Sequence, residues 1–158
     1  MASDSRAPNK RVGERIETAI ARRVPALGLV PDDVAEHYDA VATTTIDAQT
    51  LPMAGACLVE RGTSVEIKSA ARSYADGQRG RFYVRAKQHA ELLTMGGVYL
   101  FAVRDRDDES AIHALKAIPA SLVDELLPSW LDGGPGRAEY AQVSWGRLFE
   151  AAEVGCDE

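Results

Sequence analysis

Cysteine, lysine and aromatic side chains are scarce in this chain, and each shortage excludes something. Cysteine occurs twice, at Cys57 and Cys156, with neither a CxxC spacing nor a neighbouring histidine. That pattern argues against a zinc site and leaves two free thiols suited to a reducing, cytoplasmic location. No apolar run is long enough to cross a bilayer, and Met1 to Lys10 lacks the apolar middle of a secretion signal, so no membrane partner is expected. Lysine occurs only at Lys10, Lys68, Lys87 and Lys116, in a chain with a formal net charge of -6 and pI ≈ 5.1. Such a molecule is not drawn as a whole to nucleic acid or anionic lipid, so a polyanion has to be met by a local patch. There is no internal repeat, and no low-complexity segment beyond the glycine-rich 133–136. What is present, 46% hydrophobic and 27% charged residues over a length of 158, suits one soluble domain. We place that domain at 11–152, between a loose tail at 1–10 and a second tail at 153–158.

Val12, Ile16, Ile20 and Val24 recur every four residues and predict an amphipathic helix closed by Pro25 and Gly28. Pro31-Asp32-Asp33 can open a short second helix running to about Ala40. Val41 to Ile46 is rich in β-branched residues and reads as a strand with Asp47 at its tip. Ala56 to Val59, the turn Arg61-Gly62-Thr63 and the stretch to Ala70 read as a hairpin. A helix over Ala86 to Met95 ends at Gly96-Gly97, and the continuous apolar run Val98 to Val103 suits a central strand covered on both faces. The acidic 105–109 stretch reads as a surface loop, followed by a strand over Ile112 to Ile118 and a helix from Ser121. A last strand spans Tyr140 to Trp145, with a final helical turn over Gly146 to Ala152. This order predicts an α/β fold, a mixed β-sheet flanked by helices.

The chemistry centres on Val65-Glu66-Ile67-Lys68. In a strand the two β-branched residues share one face, and the carboxylate and ammonium sit side by side on the other. Alone, such a pair is an ordinary ion pair on a solvated sheet face, so its meaning depends on what surrounds it. Phosphodiester hydrolysis requires two or three carboxylates to hold Mg²⁺ or Mn²⁺ with open water positions, plus a lysine to position water and meet charge developing on phosphorus oxygens. Asp47, Glu66 and Lys68 supply that set, with Glu17 near the apolar seam of the first helix. Asp47 is equally suited to capping the loop after it. After Lys68 the charge reverses sign. Arg72, Arg79, Arg81, Arg85 and Lys87 fall where Asp76 is the only acid, a span that is either a solvated face or a phosphate-binding rim. Gln88 and His89 follow on the first turn of the next helix. Tyr74, Phe82 and Tyr83 interleave with the arginines and suit base stacking, although Phe82 and Val84 also alternate as in a half-buried strand.

Ile46-Asp47, Val65-Glu66-Ile67-Lys68-Ser69, the helix with Gln88 and the apolar strand ending near Val103 together resemble the PD-(D/E)xK nuclease superfamily. That group includes restriction endonucleases and archaeal Holliday junction resolvases, and the resemblance extends to small haloarchaeal or haloviral members. It covers roughly residues 11 to 104. It implies a restriction-endonuclease-like fold and Mg²⁺- or Mn²⁺-dependent, structure-selective cleavage of DNA. Under it, Asp47 and Glu66 are metal ligands, Lys68 the water-positioning base and Glu17 an additional acid. The chain departs from the family's pattern in one respect: the family's aspartate sits opposite Glu66, which in the expected hairpin falls near Cys57 or Leu58, neither of them acidic, so Asp39 and Glu60 are the fallback acids if Asp47 does not reach the site. Arg72, Arg79, Arg81, Arg85, Lys87, Gln88 and His89 make the nucleic-acid-binding surface, and a homodimer pairs two sites across a two-fold axis. The alternative is a non-catalytic nucleic-acid-binding or assembly protein on the same scaffold.

Overall fold

A computed structural model describes residues 6–31, 33–35, 38–136 and 139–155. Helix α1 (Arg6–Arg23) begins inside the stretch expected to be a tail, and it buries Ile16 and Ile20 at the predicted spacing. After it come β1 (Leu27–Leu29), β2 (Ala40–Ala42), β3 (Ile46–Asp47), β4 (Leu58–Val59) and β5 (Ser64–Ala71). The second half carries β6 (Arg81–Arg85), α2 (Ala86–Thr94), β7 (Val98–Arg104), β8 (Ile112–Pro119), α3 (Ala120–Leu126) and β9 (Tyr140–Ser144), then two 3-10 turns at Trp145–Arg147 and Ala151–Val154.

The principal sheet has five strands in the order β1-β2-β5-β7-β8. Only β5 and β7 run parallel, and every other neighbour is antiparallel, so the sheet is mixed as expected. β7 is buried from Val98 to Val103. Its alternate residues divide between two cores: Val98, Leu100 and Ala102 pack with α1, while Tyr99, Phe101 and Val103 pack with Phe82, Leu92, Trp145 and Phe149. A strand that feeds two cores has no polar face, which is why its sequence reads as an unbroken apolar run. β6 and β9 form a separate antiparallel ribbon that lays Phe82 and Val84 into the second core. Gly80 sits where the chain leaves β5 for β6. A Cβ there would collide with the Ala71 carbonyl, which accepts the Gly80 N–H at 3.1 Å.

Three expectations change. Ala56 to Val59 does not pair with β5: β4 pairs with β3 as a two-stranded ribbon, and Cys57 beside it is exposed. The expected strand over 41–46 divides in two: β2 ends next to Thr43, whose N–H continues the β1–β2 register to the Ala26 carbonyl at 2.7 Å while its hydroxyl donates to the same oxygen at 2.8 Å, and the chain pairs again only at Ile46 in β3. The expected helix from Pro31 is one turn, with Val34 and Ala35 donating to the Pro31 carbonyl, and positions 32, 36 and 37 lie outside the described residues.

Candidate active site

Glu66 and Lys68 point from β5 toward the face covered by α2, so the pair is not on a solvated surface. Glu66 is 4% exposed and stands in register with Tyr99 of β7, as Lys68 stands with Phe101. The Lys68 Nζ donates to Gln88 Oε1 of α2 at 2.9 Å and lies 3.5 Å from Glu66 Oε1. Alternation along β5 aims both charges at one face, and α2, packed by Leu92 against the second core, closes over them. Gln88, expected on the nucleic-acid surface, is instead the residue that fixes the lysine.

The acid that meets Glu66 is Asp39. β2, not β4, is the antiparallel neighbour of β5, with Ala40 opposite Val65, so the next step of the ladder sets Asp39 opposite Glu66. The Asp39 N–H donates to the Val65 carbonyl at 2.9 Å, and its carboxylate Oδ2 accepts the Ile67 N–H at 2.8 Å, holding the side chain against the strand. Burial first, then the Asp39 charge, pushes the Glu66 carboxyl up to about 8, against the downward pull of Lys68. The two acids hydrogen-bond when one of them carries a proton. With both ionised neither can donate, and Glu66 Oε2 is buried without a partner. A cation held by the two carboxylates would relieve both the like charges and the unpartnered oxygen. Among the described residues no group of three or more His, Cys, Asp or Glu is placed to hold a metal ion. Two carboxylates with water completing the shell fit Mg²⁺, which dehydrates reluctantly and prefers oxygen.

Asp47 is elsewhere. It lies on β3 in the small ribbon, fully exposed, and its Oδ1 accepts from the backbone N–H of Thr50 at 2.9 Å, the Thr50 hydroxyl at 3.0 Å and the Gln49 N–H at 3.1 Å. These bonds, the Thr50 backbone donor foremost, hold its carboxyl below the usual range. It caps a turn, and the charges that act on Glu66 include Lys68 and Asp39 but not Asp47. Glu17 lines a cavity of about 740 Å³ whose wall also includes Asp39, Leu29 and Pro31. Glu60, the other fallback acid, is exposed at the turn before β5.

The basic span divides into four roles. Arg81, Arg85 and Lys87 are exposed, and among the described residues none forms an ion pair. Arg79 lies over the Trp145 ring at 4.5 Å. Arg72 is half-buried and gives its carbonyl to the Trp145 Nε1–H at 2.8 Å. His89 is not on the surface at all: it is 2% exposed, with Nδ1 2.7 Å from the Tyr99 hydroxyl and Nε2 2.8 Å from Asp124 Oδ1. Its ring ties α2 to β7 and α3, one residue away from Gln88. Burial, then Glu66 and Asp124, raise the Tyr99 hydroxyl above its ordinary value. Asp39, one of the two fallback acids, is the one that reaches Glu66, whereas nothing in the apolar run around Tyr99 marks it in the sequence.

Residues 2–150 match the family model described as PD-(D/E)XK nuclease superfamily domain. Among solved structures, a nuclease from a fusselovirus is similar at 12% identity and a TM-score of 0.44, over 98% of this chain and 95% of that one. No curated protein matches the chain. No helix among the described residues is long and apolar enough to cross a membrane. Since the family match runs from before α1 to beyond β9 and takes in both β2 and β5, this chain belongs to the PD-(D/E)XK nuclease superfamily.

Proposed function

We propose that the protein is a DNA endonuclease dependent on Mg²⁺ or Mn²⁺, with Asp39 and Glu66 as the metal ligands and Lys68 as the group that handles the attacking water. A nucleic-acid substrate follows from the superfamily, and the assignment of roles rests on the geometry around Glu66. The observation that carries it is the buried Glu66 carboxyl beside that of Asp39, with Oε2 left unpartnered, an arrangement that is costly unless a proton or a cation joins the two acids. A divalent cation held there supplies charge neutralisation for a scissile phosphate and activation of a bound water.

The chain's own residues do the rest. Both neighbours of the Lys68 ammonium, Gln88 Oε1 and Glu66 Oε1, are acceptors, and a lysine carries three N–H donors. At least one donor remains for the water or for a phosphate oxygen as negative charge builds on it. Glu17 lines the same cavity as Asp39, which supports its reading as the additional acid of the site. Exposed Arg81, Arg85 and Lys87 meet backbone phosphates without reading sequence.

The test is nicking of supercoiled plasmid with Mg²⁺ by the parent and by Lys68→Ala, Glu66→Ala, Asp39→Asn and Asp47→Asn. We expect the first three to lose nicking and Asp47→Asn to keep it. Parental nicking in Lys68→Ala, or DNA binding without nicking in the parent, overturns the assignment, the latter in favour of a binding protein on the same scaffold.

A further inference from the structure

The outer face of the β6–β9 ribbon carries more than the two phosphate-meeting arginines, Arg81 and Arg85, and its composition is unusual for this acidic molecule. Along β6, Phe82 and Val84 are buried while Arg81, Tyr83 and Arg85 are exposed. The β9 partners on that face are Ser144 opposite Arg81, Gln142 opposite Tyr83 and Tyr140 opposite Arg85. The face therefore holds two tyrosines, two arginines and two neutral polar residues, with no carboxylate. Tyr83 is 53% exposed and stacks on Tyr140 with centroids 6.1 Å apart and planes 26° from parallel. Arg81 reaches Gln142 Oε1 at 3.3 Å, and neither Arg81 nor Arg85 meets a carboxylate among the described residues.

We propose that this face is a stacking platform for unpaired nucleotides, with a base on Tyr83 beside Tyr140 and the flanking phosphates met by Arg81 and Arg85. The inference rests on the nucleic-acid reading of the active site and narrows its substrate to DNA containing a single-stranded stretch. The reasoning is chemical. Aromatic rings reward contact with the flat face of a base, which is hidden in a duplex and open in a single strand. Arginines on either side, their backbone positions about 13 Å apart along a four-residue strand step, suit a backbone that tracks the ribbon. A platform of duplex-binding residues has no use for an exposed ring at its centre. The two tyrosines are diagonal cross-strand neighbours, already stacked on each other, on a two-stranded ribbon whose other side is anchored by Phe82 and Val143 in the core.

The experiment is fluorescence anisotropy in EDTA with labelled oligothymidylate and, separately, a blunt duplex of the same length, using the full chain. We expect the parent to favour the single strand, Tyr83→Ala and Tyr83→Leu each to weaken it by about tenfold with the duplex unaffected, and Tyr83→Phe to bind as the parent does. Equal parental affinity for both probes, a Tyr83→Ala loss that is the same on both, or no loss at all overturns the platform. A dimer in sedimentation that Tyr83→Ala dissociates also overturns it, because the face is then covered by a second copy. Lys68→Ala distinguishes the two readings. Nicking that survives Lys68→Ala while single-strand binding still depends on Tyr83 removes the catalytic assignment alone, and nicking lost with Lys68 while Tyr83→Ala binds normally removes the platform alone.

Discussion

Replacing Glu66 by glutamine should flatten the pH dependence of stability in the metal-free protein. The folded carboxyl is raised from 4.5 to about 8, chiefly by burial and then by Asp39. A carboxyl raised in this way favours the folded state fully below about 4.5, where both states hold the proton, and the benefit is lost as pH climbs toward 8 because only the unfolded chain can release it. Each unit of separation is worth about 1.4 kcal/mol, so the interval from 4.5 to about 8 corresponds to on the order of 5 kcal/mol, an upper bound since the site can relax. The assay is urea unfolding in EDTA from pH 5 to pH 8.5. The difference between parent and Glu66→Gln isolates this group from the histidines, and its slope should approach about 1.4 kcal/mol per pH unit in the middle of the window. Glutamine imitates the neutral acid in shape, so the two proteins should converge at low pH and separate as pH rises, with the variant the more stable. Added Mg²⁺ should act in the opposite sense, stabilising the parent more at pH 8 than at pH 6, where the cation has to displace a proton. A difference curve that is flat across the window, or one that falls, refutes the reasoning.

Lys68→Ala should reduce plasmid nicking by about a hundredfold or more while leaving oligonucleotide affinity near the parental value, as expected for a group acting in the chemical step; parallel losses in both would place Lys68 in binding instead. Gln88→Leu removes the acceptor that holds Lys68 and should cut the nicking rate by roughly tenfold without changing the salt dependence of binding. His89→Ala leaves the Tyr99 hydroxyl without its partner inside the second core and should cost about 3 kcal/mol in urea unfolding; a loss under about 1 kcal/mol would show that His89 does not secure α2. Arg81→Ala and Arg85→Ala should each lower the slope of log affinity against log salt by about one, and an unchanged slope would mark them as plain solvated charges.

Local patterning carried much of this molecule. The four-residue spacing of Ile16, Ile20 and Val24 specifies α1 because one face must pack, and the alternation Val65-Glu66-Ile67-Lys68 specifies β5 because a strand has period two. The unbroken run in β7 announced a strand covered on both sides. The charge reversal after Lys68 pointed to Arg81 and Arg85, which are exposed, but it also swept in His89, whose burial depends on α3 supplying Asp124 from thirty-five residues away.

The sequence by itself determined which residues bring an acid and an amine onto one side of a strand. Tertiary structure alone decided which second acid meets them and whether water does. Strand pairing depends on contacts between distant segments: β2 pairs with β5, which brings Asp39 beside Glu66, while β3 pairs with β4, which leaves Asp47 capping a turn in the outer ribbon. Burial of the pair likewise comes from α2 closing over β5 through Gln88, a contact twenty residues apart in sequence that no period of two or of 3.6 records.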